Sequence, residues 1–135
     1  MRAATEWESS AFFRLLDLRV VEVTDGAARL QVRLEAVRIR GAREAINGGI
    51  VATLGEAAMH VCLDGMLVAN ERIGSTRELT VAYLSGARGD TTTIEARMLR
   101  KGRLAVGDVE LRDAATGELN AKLRVTCDVV RERMA

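Results

Sequence analysis

The sequence predicts an α+β domain in which an antiparallel sheet of about six strands wraps around one long helix. Three observations lead there. Ile46 to Met66 is apolar on nearly every side and too long for a strand, the signature of a buried helix. Segments before and after it alternate apolar and polar residues with a period of two, as strands with one wet face do. Glycine supplies the turn signals between those segments, and there is no proline.

Taken in chain order, residues 9 to 17 read as a short helix that Ser9 or Ser10 can cap, with Phe12, Phe13, Leu15 and Leu16 available to a core. Leu18 to Thr24 and Ala28 to Leu34 read as strands joined by an Asp25-Gly26 hairpin turn. The central helix starts near Gly48; about nineteen residues would make a rod of roughly 28 Å. Glu78 to Leu84, Thr92 to Leu99, Leu104 to Arg112 and Leu119 to Val129 suit four further strands, expected to form a four-strand meander. Lys101-Gly102 and Thr116-Gly117 suit tight turns between them. Hairpin, long helix and meander together make the hotdog arrangement, which as a fold fixes no function.

The chain of 135 residues fits one domain, 1–135. With 48% apolar and 29% charged residues it is not a disordered chain. Twenty basic residues against nineteen acidic ones leave a net charge of +1, too little for a nucleic-acid or membrane partner. Glu6 and Glu8 stand where a signal peptide would be apolar, so a cytoplasmic location is expected. Cys62 and Cys127 form no CxxC pair, and the single His60 cannot complete a zinc set, so no metal is expected. Both cysteines read as small core hydrophobes.

The helix is not wholly apolar. Thr53, Glu56, His60 and Asp64 are three, four and four residues apart, which sets them on one stripe that projects back to Gly49. Asn47-Gly48-Gly49 opens the helix, where the first N–H groups have no internal partner and lie at the positive end of the macrodipole. Glycines let a ligand approach that backbone closely. A carbonyl lying there would be polarised, and Glu56 could act on it as general base or nucleophile. His60, one turn beyond, is within reach of a hydrogen bond to Glu56. Taken singly, each feature has a plainer account: a solvated glutamate, a glycine loop, a packed histidine, a solvated Asp64. Arg100, Lys101 and Arg103 flank a turn and could hold phosphate, or form an ordinary charged turn.

Ile46 to Leu63, INGGIVATLGEAAMHVCL, resembles the helix-opening motif of hotdog acyl-CoA thioesterases of the phenylacetate-degradation type. FFRLLDLRVVEVTDGAARLQV resembles that family's first helix and hairpin, STRELTVAYLSGA its next strand, and MLRKGRLAVGDVELRDAATGELNAKLRVTCDV its closing strands. The resemblance implies acyl-CoA hydrolysis without a cofactor, coenzyme A being part of the substrate. It also implies a homodimer or dimer of dimers with sites that use both chains. It sets Glu56 on the catalytic carboxylate and Gly48 on the backbone donor. Thr76, just before the first strand after the helix, falls on a Ser/Thr that positions water from the other subunit. Gly49, His60, Arg100, Lys101 and Arg103 are expected to face substrate. Two positions depart from the family: Asn47 replaces a usual His, and Gly41 replaces an Asn or Gln, for which Arg43 or Glu44 could compensate. These departures keep a non-hydrolytic acyl-thioester binder in view. A hydroxyacyl-thioester dehydratase is weaker, because its His must face the carboxylate across the site.

Overall fold

The computed structural model describes residues 1–35 and 40–133. Two short helices, α1 (Ala4–Glu8) and α2 (Ala11–Leu16), precede the hairpin of β1 (Arg19–Thr24) and β2 (Ala27–Arg33). A 3-10 turn at Ala42–Glu44 leads into α3 (Gly48–Asp64), followed by β3 (Glu71–Tyr83), β4 (Thr91–Lys101), β5 (Leu104–Asp113) and β6 (Leu119–Arg131). The fold is the expected hotdog: one six-stranded antiparallel sheet with α3 on its apolar face.

The strand order is β1-β2-β4-β5-β6-β3, which corrects the expected four-strand meander. Of the four strands after α3 only β4, β5 and β6 follow one another; β3 pairs with β6 at the far edge. The reason lies in the connection after β3. Its Ala87 carbonyl accepts from the Ile46 N–H at 3.1 Å, and Arg88 Nε donates to the Arg43 carbonyl at 2.9 Å. The connection is thus bound to the segment entering α3 rather than folding straight back on β3.

The single helix expected at 9 to 17 is the second of two. Ser10 caps α2 and Asp17 ends it in the left-handed region, at φ 51°. The preceding α1, ATEWE, buries no residue and has no apolar periodicity to announce it. Long-range contacts fix it instead: the Arg2 N–H donates to Asp64 Oδ2, and the Val20 N–H to Glu8 Oε2, both at 2.8 Å. The Asp25-Gly26 turn is as expected, with Thr24 opposite Ala27 and Gly26 at φ 85°.

The helix α3 has 17 residues, about 25 Å at 1.5 Å per residue. Leu54, Met59 and Leu63 are fully buried, each stabilising by about 1.5–3 kcal/mol. Glycine allows the close approach: a Cβ at Gly55 would lie 2.3 Å from Leu123 Cδ2 of β6. Ala121, Leu123, Val125, Cys127 and Val129 of β6 are buried toward the helix, as their alternation predicted.

Candidate active site

Two side chains, Asn47 and Tyr83, hold the start of α3. Asn47 is the N-cap, and its Oδ1 accepts from the Gly49 N–H at 2.9 Å. The Gly49 donor is therefore occupied by the cap and not offered to substrate, a correction to its expected role. The Gly48 N–H has no hydrogen-bond partner among the described residues and lies at the positive end of the helix. Tyr83 Oη, which sequence reasoning passed over, donates to the Gly48 carbonyl at 2.6 Å and holds this turn against β3. Gly48, Asn47, Tyr83 and Gly41 line a depression of about 490 Å³. Position 41 has no room for a longer residue: a Cβ there would lie 2.9 Å from Asn47 Cα. Neither Arg43 nor Glu44 lines this depression; Glu44 is paired with Arg40 at 2.6 Å.

The polar stripe of α3 faces elsewhere. Thr53 Oγ1 donates back to the Gly49 carbonyl at 2.8 Å. Glu56 and His60, both half-buried, line a second depression of about 360 Å³ closed by α1 and α2. His60 does not bond Glu56, as first expected; its Nε2 lies 3.0 Å from Thr76 Oγ1. Burial lowers the His60 pKa below the ordinary 6.5, against the raising influence of the Glu56 carboxylate. The imidazole is therefore neutral at pH 7. Asp64 is not merely solvated, since it accepts the Arg2 N–H.

Thr76 lies inside β3 rather than before it, and the strand is irregular on both sides of it. Ile73, Thr76, Leu79, Val81 and Tyr83 pair with Val129, Cys127, Val125, Leu123 and Ala121, so all five share the inward face of β6 despite gaps of three residues. These bulges turn the Thr76 hydroxyl toward His60. Its other neighbour is Cys127 Sγ at 3.8 Å. Burial raises both thiols, Cys62 to about 11, so neither is a thiolate nucleophile at neutral pH.

Gly48 and Glu56 line separate depressions with no residue in common. Eight residues of helix separate them, a rise of about 12 Å. The expectation that the stripe projects back to the helix start as one site within one chain is thus corrected: no single water can touch both groups of the same helix. Arg100, Lys101 and Arg103 line neither depression. Lys101 Nζ is paired with Glu71 at 2.6 Å, while Arg100 and Arg103 are exposed. Among the described residues no group of His, Cys, Asp or Glu is arranged to hold a metal ion, and no helix is long and apolar enough to cross a membrane.

The chain thus combines a hotdog sheet with a helix that opens on Asn-Gly-Gly and carries a half-buried glutamate two turns on. The family model of the thioesterase superfamily matches residues 44–119, more than half of the chain, and the chain belongs to that superfamily. Membership makes thioester hydrolysis its general chemistry. Solved structures agree on the fold. A thioesterase from Haemophilus influenzae is 15% identical, covering 97% of this chain and 92% of its own, with a TM-score of 0.86. A thioesterase family protein from Silicibacter pomeroyi is 18% identical, covering 95% of each chain, at 0.85. A conserved protein from Pseudomonas aeruginosa is 24% identical, covering 95% of this chain and all of its own, at 0.84. No curated protein matches the sequence.

Proposed function

We propose that the protein hydrolyses acyl-CoA thioesters to free acid and thiol as a cytoplasmic enzyme of the phenylacetate-degradation type. Each site would combine Glu56 of one protomer with the Gly48 N–H of its partner. The observation that carries this reading is the Gly48 N–H, without a hydrogen-bond partner among the described residues, at the positive end of α3 and about 12 Å of helix rise from position 56. Two copies related by a twofold axis bring such a pair of groups together twice, with the two helices antiparallel. Among the described residues β3 is an edge strand paired only with β6, which suits joining two sheets into a homodimer, itself able to pair into a dimer of dimers.

In this reading Glu56 takes a proton from water, and the water oxygen attacks the thioester carbonyl. The oxyanion that forms accepts from the Gly48 N–H and is favoured by the helix dipole. Collapse expels the thiolate, which recovers the proton. Attack by Glu56 itself, through an anhydride that water then opens, is the nucleophilic variant. Neutral His60, held by Thr76, borders the same depression and would orient water or the acyl group. No cofactor takes part, coenzyme A being carried in by the substrate. Exposed Arg100 and Arg103 remain available to its phosphates, whereas Lys101 is engaged by Glu71.

A thiol-release screen over aromatic, short and medium acyl-CoAs tests this. Glu56→Ala should lower turnover by about 10²–10⁴ while leaving the fold intact; unchanged hydrolysis would remove Glu56 from the chemistry. The second reading, an acyl-thioester binder without hydrolysis, has Asn47 and the side-chain-free Gly41 in its favour. Tight acyl-CoA binding with no thiol released across the panel would establish it.

A further inference from the structure

The protein has four aromatic side chains, and three of them, Trp7, Phe12 and Phe13, line the depression that contains Glu56. They come from α1 and α2, while Thr53, Glu56, Ala57 and His60 come from α3, so the rings stand opposite α3, with Arg2, Glu6 and Ser10 beside them on that side. The rings hold one another: Trp7 to Phe13 is 5.7 Å between centroids and Phe12 to Phe13 is 6.0 Å, edge-on. The Arg2 guanidinium lies 4.6 Å from the Trp7 ring centroid, and the Arg2 backbone N–H is bonded to Asp64 at the end of the polar stripe. A helix of five residues has no stability of its own. Here α1 is fastened at one end to α3 through Asp64 and at the other to β1 through Glu8.

We propose that α1 and α2 are the acyl-binding wall of the site and that Trp7 sets the upper length of the acyl group. The substrate class is then thioesters of compact apolar acids, whose tails pack against the rings while the carbonyl faces Glu56. This deepens the proposed function and rests on Glu56 being the group that directs attack. Because α1 is fastened at both ends, a longer tail must displace Trp7 and break the contacts of Arg2. Compact acyl groups meet no such obstacle. The proposal concerns specificity, so Trp7 acts on which thioester is cut rather than on the reacting atoms.

The test uses butanoyl-, hexanoyl-, octanoyl-, decanoyl- and dodecanoyl-CoA. The wild type should lose kcat/KM beyond a length limit. Trp7→Ala should move that limit outward, each newly accommodated methylene being worth up to about fourfold, and Trp7→Phe should fall between. An unchanged length profile in Trp7→Ala would overturn the proposal. As Trp7 is the only tryptophan, its fluorescence reports occupancy without turnover. In Glu56→Ala protein, the acyl-CoAs should change its emission and coenzyme A alone should not. Equal effects of both, or none from any acyl-CoA, would also overturn it. Should Glu56→Ala hydrolyse like wild type while Trp7 emission still follows acyl length, the role of Glu56 falls and the acyl wall stands.

Discussion

The proposed division of each site between two protomers can be tested by a complementation in which neither parent is active. Gly48 is the first residue of α3, and Asn47 before it has φ −54° and ψ 137°. That is the extended conformation a residue preceding proline prefers, and the first helical position tolerates proline well. Gly48→Pro therefore deletes one N–H donor with little disturbance of the helix; a Cβ at this position lies 3.4 Å from the Tyr83 ring. Removing one oxyanion donor should lower kcat by about 10²–10³, or roughly 3–4 kcal/mol. Glu56→Ala lowers it independently. Random reassembly of equal amounts of the two variants makes half of the dimers mixed. In each mixed dimer one site retains both the glutamate and the donor, and the other has neither. Specific activity should thus recover to about a quarter of wild type, measured by thiol release after unfolding and refolding the mixture together. If both groups served the same chain, every site would keep one defect and the mixture would be as inactive as its parents. That result would refute the two-protomer site.

Two predictions concern the scaffold. Gly55→Ala should destabilise by about 1 kcal/mol in urea denaturation, because overpacking against buried Leu123 costs about 1–3 kcal/mol and exceeds the gain of about 1 kcal/mol in helix propensity; net stabilisation would mean that α3 is not pressed onto β6 at this point. Glu71, its side chain 1% exposed, accepts from Lys101 and Arg131, and its pKa falls to about 2, chiefly through the Lys101 hydrogen bond. A depressed carboxylate contributes stability that is complete above its ordinary value near 4.5 and is lost as the pH falls toward 2. Glu71→Gln should therefore cost about 1–2 kcal/mol at pH 7, and the difference from wild type should shrink in denaturation series taken down through pH 4.5; a difference that stays constant would assign it to packing.

Much of the fold was legible because its signals are local and periodic. The all-round apolar run of α3, the inward alternation of β6 and the Asp25-Gly26 turn each describe themselves. The start of β3 was not legible, since bulges on both sides of Thr76 break the period of two, and the alternation resumes only near Glu78. That break was itself the available signal of a special position. The order of strands escaped for another reason: contacts of Ala87 and Arg88 with the segment before α3 direct the chain, and they lie more than forty residues apart in sequence. Helix geometry together with the family resemblance proposed Glu56 and Gly48, and each borders a depression. Their separation into two depressions was implicit in the same 1.5 Å rise but was obscured by reading the stripe as one surface. Tyr83 and the aromatic wall depend on tertiary placement, which no spacing along the chain announces.

The choice of Asn47 at the head of α3 has a consequence for acid tolerance. An imidazole there would gain a proton in mildly acidic solution and lose its capacity to accept, loosening the first turn of the helix. A carboxamide has no such transition. The bond from Gly49 to Asn47 Oδ1 involves no group that titrates in that range, so this cap of the first turn of α3 does not depend on a protonation state.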